Sequence, residues 1–163
     1  MYRLIGENHI MIMSMPQPAE NLKIRLVSVG SPVVSTPLLA QIEGGINPAD
    51  LKISYKVNVE INRPESKVNV EVSMVYLLGQ ETIFSGSVTS VFDVVDLASY
   101  INISEGEDKF RIESDFLPML INTAFSTTRG CLARELAGTA LAPYPFPLIL
   151  MENIQKRTSF QLI

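Results

Sequence analysis

Three successive stretches of this chain alternate apolar and polar residues with a period of two, and only short turns separate them. In residues 51–61, Ile53, Tyr55, Val57, Val59 and Ile61 alternate with Ser54, Lys56, Asn58 and Glu60. Residues 68–76 repeat the pattern, with Val68, Val70, Val72, Met74 and Tyr76 set against Asn69, Glu71 and Ser73. A further β-rich run covers residues 82–95. Such alternation describes strands with one dry face and one wet face. The intervening Asn62-Arg63-Pro64-Glu65-Ser66 and Gly79-Gln80 are turns, too short for the crossover that a parallel return demands. The three strands are therefore antiparallel neighbours. Residues 22–29 read as an earlier strand, in which Leu22, Ile24 and Leu26 alternate with Lys23, Arg25 and Val27 until Gly30 and Pro32 interrupt it.

Past Asp96 the period changes. Leu97 to Ile101 reads as a short helix, and Ser104 to Lys109 as a charged loop. From Ser114 or Asp115, either of which can cap, Phe116, Leu117, Leu120, Ile121, Ala124 and Phe125 recur at three- and four-residue spacing. Pro118 is tolerated in a first turn, and Cys131, Leu132 and Leu136 extend the stripe to a stop at Gly138. Gly130 in mid-helix costs about 1 kcal/mol relative to Ala, and marks either a close backbone approach or a kink. Pro143, Pro145 and Pro147 then enforce extended chain around Tyr144, Phe146 and Leu148. A short C-terminal helix is expected from Leu148 to Lys156. Strands followed by helices predict an α+β fold: a four-stranded antiparallel meander, then a long helix and a short one. Residues 1–21 are set apart as an N-terminal arm, poorly ordered or a short edge strand, and residues 22–163 as one domain.

Composition bounds the function. With 163 residues, the chain is long enough to bury about 70% of its unfolded surface without staples. Charged residues are 18%, apolar residues 47%, and mean hydropathy is +0.23. That excess of apolar surface points to an oligomer interface or an apolar groove. A net charge of −4 argues against nucleic acid, which needs clustered Lys and Arg. No apolar run reaches membrane-span length, so no membrane insertion is expected. The single cysteine, Cys131, fits a reducing cytoplasm.

The same residues hold no catalytic constellation. The glycines lack phosphate-loop spacing, and one Cys with one His leaves no ligand cluster, so neither metal nor cofactor is expected. Asp93 with Asp96, the acidic run at Glu105, Glu107 and Asp108, and the hydroxyls of Ser126, Thr127 and Thr128 read more simply as strand-end acids, a solvated loop, and hydroxyls that bond the helix backbone or line a helix contact. The proline-spaced segment carries two readings: a lid over the core, or the wall of a groove for extended apolar peptide.

Leu78-Gly79-Gln80-Glu81-Thr82-Ile83-Phe84, the Gly138-Thr139 step and Pro147-Leu148-Ile149, in this order and spacing, resemble the SecB family of bacterial export chaperones across residues 22–155. The motif positions are Gly79, Glu81, Thr82, Phe84, Gly138, Thr139 and Pro147. The resemblance implies an ATP-independent holdase without enzymatic activity. It also implies a cytoplasmic homotetramer, a dimer of dimers, whose grooves take non-native polypeptides. The family's client contacts carry over to Tyr55, Val57 and Val59 on the second long strand, and to Tyr144, Phe146 and Leu148 on the crossover and last helix.

The family also binds the SecA motor through acidic side chains on the sheet. The matching positions here are Ser31, Ser35 and Ser87, with Ser85 in place of an apolar partner, so weak or no SecA coupling is expected. Two other functions compete with this expectation: a hotdog-like small-ligand protein or enzyme, and a purely structural oligomer.

Overall fold

The computed structural model describes residues 2–6, 9–13, 24–42, 44–103, 110–112, 116–148 and 158–162, with side chains over 24–42, 44–99 and 117–148. The chain is α+β. Its strands are β1 (Tyr2–Gly6), β2 (His9–Met13), β3 (Ile24–Val29), β4 (Val33–Ser35), β5 (Leu51–Asn62), β6 (Lys67–Leu78), β7 (Glu81–Val94), β8 (Ile101–Ile103), β9 (Phe110–Ile112) and β10 (Thr158–Leu162). The long helix α1 spans Phe116–Leu136.

The principal sheet has six strands, not four, in the order β10-β5-β6-β7-β3, with β4 also on β7. Strands β3 to β7 pair antiparallel and β10 lies parallel to β5. The meander expected from the sequence holds for β5, β6 and β7 alone. Strand β3 precedes them in the chain but pairs with β7 at the far side, so the connection from β4 to β5 crosses the sheet. That long connection contains a short 3₁₀ helix (Leu39–Gln41), with Leu39 and Ile46 buried. Strands β3 and β4 are one edge interrupted over residues 30–32, where Gly30 donates to the Thr89 carbonyl at 2.8 Å and Pro32 has no N–H to offer. Tyr2–Gly6 and His9–Met13 pair with each other in a separate hairpin, and β8 pairs with β9.

The register puts all the alternating apolar residues on one face. Val57, Val59 and Ile61 face Val72, Val70 and Val68, which in turn face Val88, Ser90 and Phe92. The helix crosses β6 and β7, packing Leu120, Ile121, Ala124 and Leu132 on that face. At Gly86 the approach is tight: a Cβ there would lie 2.7 Å from Leu132 Cδ2. Gly130, by contrast, meets nothing outside its own helix within 4 Å of where its Cβ would stand, so it serves no close approach among the described residues.

The two tight turns follow their residues. Leu78 pairs with Glu81 across Gly79-Gln80, with Gly79 at φ 64° and its N–H on the Asp50 carbonyl at 3.0 Å. The register then shifts beyond Tyr76, leaving Ile83 as an extra residue on β7. This β-bulge is why consecutive Ile83 and Phe84 are both buried, against strict alternation. In the other turn Asn62 Oδ1 accepts from the Glu65 N–H at 3.0 Å, and Ser66 sits at φ 53°.

The helix ends as its sequence demands. Gly138 takes φ 77°, and Thr139 Oγ1 donates to the Leu136 carbonyl at 2.8 Å while accepting from the Leu141 N–H at 3.2 Å. The short helix after Asp96 is a 3₁₀ helix (Leu97–Tyr100). The capping residues Ser114 and Asp115, the loop at Glu105 to Asp108, and the expected C-terminal helix beyond Leu148 lie outside the described residues.

Candidate functional site

The crossover after α1 is pinned to the sheet by an aromatic cluster. Phe146 packs edge-on against Tyr76 (5.7 Å between ring centroids) and Phe125 (6.1 Å). Tyr76 makes the same contact with Phe84 (5.7 Å), and Phe125 with Tyr55 (5.6 Å). Edge-to-face pairs of this kind add about 0.5–1.5 kcal/mol each beyond area burial. The first half of the crossover is turn and not the extended chain that the prolines suggest, with the Ala142 N–H on the Thr139 carbonyl at 3.1 Å and the Tyr144 N–H on the Leu141 carbonyl at 2.8 Å, and side chains bond the carbonyls that follow. The Tyr76 hydroxyl donates to the Tyr144 carbonyl at 2.9 Å, and Arg129 Nε donates to the Phe146 carbonyl at 3.2 Å. The Tyr144 hydroxyl in turn donates to the Ile46 carbonyl at 2.8 Å, tying the crossover to the loop before β5. Burial pushes the Tyr76 phenol up from 10.0 to about 12, which keeps it a donor across the ordinary pH range.

The sequence-derived client positions separate into three kinds. Tyr55, Tyr144 and Phe146 come together, through Phe125 and Tyr76, as the floor and clamp of the crossover. Val57 and Val59 are wholly buried, registered against Val72 and Val70 in the core. Leu148 is 85% exposed, the most exposed large apolar side chain among the described residues. Beside the clamp, Ser126, Arg129, Gly130, Ala133, Pro145 and Phe146 line an open groove of about 330 Å³. Phe146 is thus buried over the core, while Pro145 lines the groove and Leu148 is exposed.

The motif positions have structural duties. Gly79 and Gly138 take positive φ, Thr139 closes the helix end, and Phe84 packs on Tyr76, whereas Glu81 and Pro147 are exposed. On the opposite face of the sheet, Ser35 is registered with Ser85, and Val33 with Ser87. These residues line a second groove of about 300 Å³ with Ser73 and Val75. It is an uncharged hollow.

Sequence reasoning passed over Phe125, Tyr76 and Arg129 as site residues. A helix stripe and a strand alternation explained the first two completely, and only tertiary contact reveals their role. It also passed over β10, although Ser159, Phe160, Gln161 and Leu162 alternate with period two. No His, Cys, Asp and Glu cluster of metal-binding size occurs among the described residues, and no described helix is long and apolar enough to cross a membrane. Neither a protein-family model nor a curated protein matches this chain.

Proposed function

We propose that this chain is a SecB-like holdase that binds non-native polypeptide without ATP. The single observation behind the reading is the crossover. A proline-spaced segment is clamped to an aromatic floor at Phe146, Pro145 lines an open groove there, and Leu148, two residues on, is 85% exposed. A rigid apolar ledge binds extended apolar chain with little demand on its sequence, because burial of apolar area supplies the affinity. Fixing the ledge in advance lowers the entropic cost of association.

The β3 and β4 edge supports self-association of the kind a dimer of dimers needs. Leu26, Val29 and Val34 are registered against Phe92, Ser90 and Gly86 on the helix side, yet they are 41%, 39% and 36% exposed. Helix α1 leaves them uncovered. The serine-lined hollow on the other face offers no carboxylate to a basic partner, which agrees with weak or absent SecA coupling. Charge reversal at Ser87 alone is not expected to create motor binding, and tight SecA binding by the unaltered chain would refute this part.

The deciding experiment is solution mass together with suppression of aggregation of a reduced, unfolded client in the absence of ATP. A tetramer that suppresses aggregation, weakened several-fold by Leu148→Asp at unchanged stability, is the expected result. A tetramer without suppression favours the purely structural oligomer, and a monomer without suppression removes the holdase.

A further inference from the structure

Strand β10 lies on the free side of β5, and its register is parallel: Thr158 against Val57, Ser159 against Asn58, Phe160 against Val59, Gln161 against Glu60 and Leu162 against Ile61. Without it, this half of β5 would present a row of backbone donors and acceptors at the sheet edge, the usual template for a further strand. The hold of β10 is also the weaker of the two on β5. It pairs over five residues in parallel, whereas β6 pairs along the whole 12-residue strand antiparallel. Parallel pairing is slightly less stable per residue. Strand β10 is joined to no second strand of the sheet among the described residues.

We propose that the β5 edge from Val57 to Ile61 is a strand-acceptor site for extended polypeptide of alternating polar and apolar character, and that β10 is its resident occupant, displaced when such a segment binds. The resident defines the preferred ligand: a segment with the Thr-Ser-Phe-Gln-Leu alternation, entering parallel to β5. Main-chain hydrogen bonds supply affinity in such strand addition, and alternate side chains supply preference. The site adjoins Tyr55, whose ring meets Phe125, and Phe125 in turn meets Phe146 of the crossover. As a site for clients this inference rests on the holdase reading; as an edge that accepts a strand it does not.

Occupancy by β10 lowers apparent affinity for any competitor by the fraction of molecules in which the edge is open. The test uses the full chain in three forms. In the opened form, Ser159→Pro with Phe160→Pro removes a ladder N–H whichever of the two residues donates. In the stapled form, Asn58→Cys with Ser159→Cys, in a Cys131→Ser background, joins register partners on neighbouring strands, whose usual separation of about 4.8 Å lies within disulfide range. The third form is unaltered. The probe is a fluorescein-labelled peptide with the sequence of residues 157–163, read by polarisation.

The opened form is expected to bind the peptide at least about tenfold more tightly than the unaltered chain. The oxidised staple is expected not to bind it, and reductant to restore binding to the unaltered level. Equal binding by oxidised and reduced staple overturns the proposal, and this arm does not depend on the proline variant folding. Absence of binding by an opened form with native circular dichroism overturns it as well. Peptide binding as expected, with no form suppressing client aggregation, leaves the acceptor edge standing and removes the holdase reading instead.

Discussion

The two sides of the principal sheet are finished differently. On the β5 side much is closed from within the chain: β10 pairs with Val57–Ile61, Phe146 closes on Tyr76, two side-chain donors bond the crossover carbonyls, and the Tyr144 hydroxyl ties the crossover to Ile46. On the β3 and β4 side the strand is broken, bulged near Val27, and left with apolar side chains in the open, Val33 at 73% exposure. One charged pair, Arg25 with Asp93 at 2.7 Å, lies along it. Natural sheets blunt an edge with charge, proline or a bulge, and a bulge and Pro32 do part of that here. The remaining apolar surface is what an interface requires. The contrast teaches that one side is largely closed by its own chain, whereas the other leaves apolar side chains exposed.

The covered side should be the costlier to disturb. Phe146→Ala removes a nearly fully buried ring at the centre of the aromatic cluster and should lower unfolding free energy by about 3–5 kcal/mol in urea titrations. A loss below about 1 kcal/mol would mean that the crossover is not clamped.

Next in size is a pH effect. The Tyr76 phenol is raised in the folded chain to about 12, against 10.0 for the free group, so its contribution is fully present below about pH 10. It is lost as pH rises towards 12, by roughly 2–3 kcal/mol. Comparison of stability against pH for the unaltered chain and Tyr76→Phe isolates this term, and the variant should lack the alkaline decline. The same variant should lose about 1 kcal/mol at neutral pH through the bond to the Tyr144 carbonyl.

Smaller still, Thr128→Val replaces a wholly buried hydroxyl that has no partner among the described residues, and should be neutral or stabilising by up to about 1 kcal/mol. The open side should respond in association, not in stability. Val33→Lys with Val29→Lys should leave unfolding free energy within about 0.5 kcal/mol while lowering solution mass measured by light scattering. Unchanged mass would show that this edge is not the interface.

Much of the sheet was legible because its alternation is strict and its turns are short: β5, β6 and β7 follow from Ile53 to Val94 almost residue by residue. The bulge at Ile83 was hidden because two successive apolar residues fit a continuing strand equally well. The placement of β3 beside β7 depends on a connection of ordinary loop composition, which carries no topological signal. Strand β10 is five residues long, and its parallel partner lies about a hundred positions earlier, beyond any local pattern. At the site, the prolines marked a segment that is not helical, but its first half turns where extended chain was expected, and Tyr144, Phe146 and Leu148 lie along it. Their division into clamp and exposed side chain was not legible, since it depends on which side chain meets Tyr76. Period two assigned Val57 and Val59 to a dry face, but could not tell a core from a groove.

The most direct test of the central reading is to map where a non-native polypeptide touches the chain. An unfolded client carrying a photoactivatable cross-linker, incubated without ATP and analysed by mass spectrometry, should place its cross-links on Leu148, Pro145, Ala133 and the β5 edge. Cross-links confined to the β3 and β4 edge, or none above those to a folded control protein, would contradict the account.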